Sequence, residues 1–251
     1  MHAALADLAF AGGDPLEAQR QIRLARTADP DDPDLLAGQA AAEAAVGMIP
    51  AALADYSSVV DSAAVADSAR ATAGTPATVG TAGGDHDGRR LVAPRHLVAA
   101  GELFEAAGRP ADARRAYDRF AAVTALYAAN GVPLATEPAL FAADRGDAAQ
   151  ALRLADAGLR AGPTPAAQDA YAWALAASGR DAEAFTWAER ATSTGMHNAL
   201  FAFHKGMIES SLGRDAAAQA DLATALRTNP WFSPRLAPLA RVTLTALSGP
   251  Q

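Results

Sequence analysis

The chain has no cysteine. That removes disulfides, thiolate chemistry and cysteine-based zinc sites from consideration. Lysine is almost as rare: of 21 basic residues only Lys205 is a lysine, and the formal net charge is −7. Phosphate neutralisation needs a basic stripe, so nucleic acid is not the expected partner. Arg114, Arg115 and Arg119 do cluster, but Asp112 and Asp118 are interleaved with them, as on a solvated helix face. Aromatic residues are only 6% of the chain, although hydrophobic residues reach 51%. No apolar run is long enough for a transmembrane helix, so no membrane insertion is expected. The first residues, MHAALADLAFAGGD, carry no basic stretch and include Asp7, which does not fit a secretory signal. No long segment alternates apolar and polar residues, which argues against a sheet. G-x-S-x-G, H-E-x-x-H, P-loop and G-x-G-x-x-G patterns are all missing. The chain is therefore read as no enzyme, with no cofactor and no metal.

What the chain has is alanine, about a quarter of its residues, set in short helical stretches. Ala199–Pro234 shows the unit. Leu200, Phe203, Met207, Ile208 and Leu212 recur at helical spacing, and Gly213 ends that helix because glycine accepts the left-handed conformation of a C-terminal cap. Asp215 then reads as the N-cap of a second helix through Ala218, Leu222 and Ala225, stopped by Asn229-Pro230. Gly206 and Ala218 are small enough to let the two helices approach closely. Such a pair cannot bury its apolar faces alone and needs neighbours.

The neighbours are there. A turn glycine followed by alanine five residues on, and by a small or apolar residue seven further, recurs as Gly13/Ala18/Ala25, Gly47/Ala52/Val59, Gly108/Ala113/Phe120, Gly146/Ala151/Gly158, Gly179/Ala184/Ala191 and Gly213/Ala218/Ala225. Successive glycines are 34, 61, 38, 33 and 34 residues apart, and Pro30, Pro163 and Pro230 each fall seventeen after theirs. A period near 34 is that of the tetratricopeptide repeat, which the chain resembles over nearly its whole length. The expected fold is all-α: a right-handed α-solenoid of about six such helix hairpins with a C-terminal capping helix. Its expected parts are repeats 1–2 over 1–60, the end of a helix and a loop over 61–93, repeats 3–6 over 94–232, and the capping helix and tail over 233–251. Thr72–Arg90 is rich in Gly, Thr and Ala and reads as a loop. Asp85-His86-Asp87 within it lacks the further ligand a metal site needs.

Three runs, Ala129–Asp147, Asp169–Ala191 and Asn198–Pro234, resemble an actinobacterial family of tetratricopeptide-repeat proteins. That resemblance implies a fold and no mechanism. It also implies that longer members carry further repeats and an export signal ahead of the point matching Met1. The expected location is the cytoplasm, with export as the alternative if the chain belongs to a longer precursor.

The repeat register implied by the resemblance puts the first helix of each hairpin on a concave groove. Arg95, Val98, Glu102 and Glu105 would look inward from the third hairpin, Thr136, Leu140 and Asp144 from the fourth, Asp169 and Trp173 from the fifth, and Leu200, Phe203, Met207 and Ser210 from the sixth. Arg95, Glu102, Leu140, Asp169, Trp173, Phe203 and Met207 are the expected groove residues. Trp anchors interfaces and Met repacks around varied ligands. The alternative is that these side chains pack on one another or on the capping helix. The carboxylate-clamp positions of some tetratricopeptide domains are held here by Val98, Glu102, Glu137, Ala166 and Ala170, so that clamp is missing. An acidic groove favours a basic or apolar protein segment as partner. His204, the histidine of most interest, reads as a hydrogen-bonding residue rather than a ligand. Helix His2–Ala11 carries Leu5, Leu8 and Phe10 with no polar unit before it, which gives a second expectation: self-association through residues 1–12.

Overall fold

The computed structural model describes residues 1–61, 92–132, 134–193, 195 and 197–249. The loop read over Thr72–Arg90, with Asp85-His86-Asp87, lies outside the described residues. Those residues hold thirteen α-helices and no strand. They run as hairpin pairs: α1 (His2–Ala11) and α2 (Pro15–Arg26), α3 (Pro33–Ala45) and α4 (Ile49–Asp61), α5 (Pro94–Ala106) and α6 (Pro110–Ala129), α7 (Thr136–Asp144) and α8 (Ala148–Ala161), α9 (Pro165–Ala177) and α10 (Asp181–Thr192), α11 (Ala199–Ser211) and α12 (Asp215–Thr228). A last helix, α13 (Leu236–Leu247), follows. None of them is long and apolar enough to cross a membrane.

The turns explain the pairing. Gly13, Gly47, Gly108, Gly146, Gly179 and Gly213 all have positive φ, between 70° and 83°. The N–H of the residue after each glycine donates to the carbonyl five residues back, as Arg214 does to Glu209 and Arg180 to Leu175, at 2.8–3.0 Å. This closure satisfies carbonyls at the helix end that would otherwise lack a donor. A Cβ at Gly179 or Gly213 would meet nothing within 4 Å, so glycine is needed there for its backbone and not for space. Some of the helices then start from side-chain caps. Asp14 accepts from the Glu17 N–H, Asp147 from Gln150, Thr164 from Ala167 and Asn198 from Leu200 and Phe201. Asp215 is different from the sequence expectation: it is the first residue of α12, behind Arg214, and no side chain caps that helix.

Packing follows the register. The alanine five residues after each turn glycine is buried every time: Ala18, Ala52, Ala113, Ala151, Ala184 and Ala218. A Cβ at Gly206 would lie 2.9 Å from Leu222 Cγ and 3.1 Å from the Leu222 backbone N, so glycine lets α11 and α12 touch backbone to backbone.

The described chain divides into two compact units, Met1–Phe10 with Asp14–Pro133 and Ala11–Gly13 with Leu134–Gln251. In the first, α2 packs on α3, α3 on α4 and on α5, and α4 on α5 and α6, with α5 and α6 paired. Ala6 of α1 joins Ile22 and Leu35 in a small core. In the second, each helix packs on the next from α7 to α13, and the first helices α7, α9 and α11 also touch in succession. Such nearest-neighbour contact is what a stack of hairpins requires.

Candidate functional site

In the second unit the first-helix face is built from the C-terminal end of α7 and the middles of α9 and α11. Trp173 on α9 donates its indole N–H to Asp144 Oδ1 at 2.9 Å. Its ring stacks on the His204 imidazole of α11, with centroids 4.3 Å apart and planes 17° from parallel. Beneath that stack the His204 Nδ1–H donates to Asp169 Oδ2 at 2.8 Å, and both side chains are only 1% exposed. Asp169 Oδ1 is buried without a hydrogen-bond partner among the described residues. Phe203, with no exposed surface, lies 5.9 Å from the Trp173 ring and 5.5 Å from Phe232.

Phe232 belongs to the segment that leads into α13, and that segment completes the face. Phe203 shares a core with Leu222, Ala225, Leu236 and Ala240, against which Trp173, Met207, Phe232 and Leu244 pack. Ser233 Oγ accepts the Arg235 and Leu236 N–H groups and starts α13. Arg235 Nη2 reaches back to Asp144 Oδ1 at 3.0 Å, on the first helix two hairpins earlier. A guanidinium there is doubly favoured, by the carboxylate and by the negative end of the α7 dipole.

The hairpin closures, the buried register alanines and the first-helix to first-helix contacts together decide the repeat type. These are tetratricopeptide-type hairpins. No family model matches the sequence, and no curated protein does. Among solved structures, a tetratricopeptide repeat protein from Parabacteroides merdae is similar at 14% identity, over 99% of this chain and 98% of that one, with a TM-score of 0.45. The TPR2AB domain of yeast Sti1, solved as its pHSP90 complex, is similar at 15% identity, over 99% of this chain and 97% of that one, with a TM-score of 0.38.

Several groove expectations are corrected by burial. Phe203 and Asp169 do not line an open surface, because the α13 segment and the His204 pair enclose them. Glu102 on α5 is buried as well, close enough to Tyr56 for its charge to add to the burial that holds the phenol in its neutral form. Trp173, Met207 and Leu140 are half-buried; Leu140 packs on the core of Ala139, Ala142 and Ala170. Arg95 is exposed and sits 3.5 Å from Asp7. The sequence reading missed the Arg235–Asp144 pair; its only signal was an arginine directly after the Ser233-Pro234 break.

The arrangement offers little chemistry to a small molecule. The Asp169–His204 pair has the composition of a base and its orienting carboxylate but is closed off from any substrate. The chain's single lysine, Lys205, is held 2.8 Å from Asp221 and 3.6 Å from Glu209, whose carboxyl is pushed up by burial and by Asp221. A hollow of about 170 Å³ beside Asn198, Asp221, Thr224 and Thr228 is below the size of ordinary ligand pockets. Among the described residues no three His, Asp or Glu side chains converge as metal ligands would.

Proposed function

We propose that the chain is a non-catalytic scaffold that holds a protein or peptide segment against the first helices of its hairpins. One observation carries this reading. The first-helix face of the second unit already holds a segment, the chain's own residues 231–247, through an aromatic contact to Phe203 and an ion pair to Asp144. The face thus has the chemistry for a segment bearing apolar and basic groups. In the first unit Arg95 and Glu105 on α5 are exposed and Val98 is half-buried, in the equivalent register.

Photo-cross-linking in the native host tests it. A benzophenone amino acid at Val98 or Leu140 is expected to capture a discrete protein, while one at the exposed second-helix position Ala121 is not. No adduct at the first-helix positions, or the same adduct at Ala121, would remove the reading.

A second reading has its own observation. Only Ala6 of α1 is buried, and Leu8 and Leu5 are 70% and 41% exposed. An apolar helix face of this kind suits a second copy of the chain, meeting through residues 1–12. Concentration-dependent light scattering checks it: Leu8→Glu should lower the association, and a wild-type chain that stays monomeric throughout would end it.

A further inference from the structure

The C-terminal segment does more than close the last hairpin. A closing helix needs only the last hairpin's own surface, and α13 has that in α12. Arg235 instead passes to Asp144 on α7, and Phe232 fills the space over Phe203, next to Trp173 of α9. The segment therefore makes side-chain contact or shares a core with residues from three successive first helices. It does so with few anchors: one aromatic ring, one guanidinium and the leucines that follow. Its outer side stays in solvent, with Trp231 and Leu239 each 41% exposed and Val242 67% exposed.

Each anchor meets a complementary feature. Phe232 meets an aromatic floor, Phe203, whose neighbours Trp173 and His204 are locked by Asp144 and Asp169. Arg235 meets a carboxylate that also accepts the Trp173 indole N–H and is 11% exposed with the segment in place. Leu236 enters the core of Leu222 and Ala225. Part of the receiving side is preorganised, because the Trp173 and His204 rings and the Asp144 carboxylate are held by bonds that do not involve the segment. We infer that the first-helix face of the second unit is a recognition surface for a segment of another protein carrying an aromatic residue, an arginine three positions later and a leucine beside it. Phe232–Leu236 is the occupant that the chain itself supplies, and a partner segment of the same chemistry replaces it. This rests on the scaffold reading above and names the partner that reading leaves open.

The probe is a fluorescent synthetic peptide with the sequence of residues 229–247, titrated into the full-length chain and followed by anisotropy. Wild-type protein should bind it weakly, since its own segment competes at high effective concentration. The full-length variant F232A/R235A, with a weakened resident segment, should bind it at least about tenfold more tightly. Adding Asp144→Asn, which keeps an acceptor for Trp173 but removes the charge, should reverse most of that gain. A peptide with glutamine in place of the arginine should bind the F232A/R235A chain about tenfold less well than the native peptide. If the F232A/R235A chain keeps its helical circular dichroism and binds no better than wild type, the inference is overturned. If the same variant loses its helices, the segment is core and not an occupant, which overturns it equally. On wild-type protein, excess peptide should speed hydrogen exchange in residues 231–247; unchanged exchange at saturating peptide counts against the proposal. A wild-type dimer with exchanged C-terminal segments would make a second copy the occupant and would overturn the choice of a foreign partner. None of these failures touches the cross-linking result at Val98, so the scaffold reading stands or falls separately.

Discussion

The two units use one hairpin design and finish their first-helix faces differently. In the second, Phe203 is wholly enclosed, Asp144 is paired and the α13 segment lies over both. In the first, Val98, the α5 residue at the Phe203 position, is half-buried, and on the same face Arg95 and Glu105 are exposed while Glu102 is buried. The repeat fixes which side a residue faces, because the turn glycine and the buried alanine set the helix rotation. Whether that side is open depends on what other part of the chain is laid across it. A position of one design can thus be core in one unit and partly open in the other.

The largest effect that tests this contrast is loss of a ring. Phe203→Ala should destabilise the second unit by about 3–5 kcal/mol, the range for truncating a buried aromatic. Val98→Ala, on the first unit's face, should cost about 1 kcal/mol or less. Chemical denaturation followed by circular dichroism reads both, and comparable small costs would show that the two faces do not differ as described. Hairpin interiors should respond alike in sign. Gly206→Ala is expected to cost about 1–3 kcal/mol by overpacking, since the Leu222 backbone N would stand 3.1 Å from the new methyl group and cannot swing away. At Gly101 the obstacle is the Tyr117 ring, a side chain that can turn, so Gly101→Ala should fall at the lower end of that range.

These effects also mark what a sequence can disclose. Gly213 and Ala218 were legible because a closing turn and a close helix approach are local demands, met by residues five apart. Trp173, Phe203 and Met207 share one core, as the register brings them to one side. Their burial against the C-terminal segment was legible only as the alternative to an open groove, since it depends on Phe232 and Leu236, whose path after Asn229-Pro230 no periodicity describes. The Asp169–His204 bond was equally hidden. Each residue alone is an ordinary polar position in a helix, and only the stacking of α9 beside α11 makes them partners.

A smaller effect separates the units by pH. Burial pushes the His96 imidazole of α5 down to about 3 from an ordinary 6.5, with Arg95 adding to the shift, and Asp34 lies 4.0 Å from its Nε2. The unfolded chain therefore takes up this proton first as pH falls. Stability supplied by neutral His96 is complete above 6.5 and is lost progressively below it until the folded form protonates near 3. Glu43 and Asp55, held above the ordinary carboxylate range mainly by burial, act with the opposite sign at lower pH, gaining stability as they protonate in the folded form. Between pH 7 and 5 the histidine effect should amount to at most about 2 kcal/mol in the first unit. His96→Gln should flatten that slope in the denaturation midpoints, and an unchanged slope would place the titration elsewhere.

The smallest expected change is the most informative about use. Arg95 and Asp7 pair at 3.5 Å with side chains 56% and 67% exposed, an arrangement that water screens almost completely. Arg95→Ala should therefore move the unfolding free energy by no more than about 0.5 kcal/mol. If the first unit's face receives a partner, the same substitution should alter the cross-linking yield at Val98, because a rim charge mainly governs the rate of encounter and its salt dependence. A change in stability with no change in capture would make Arg95 a structural residue of α5. A change in capture with no change in stability would leave it where the register put it, on a surface that another molecule reads.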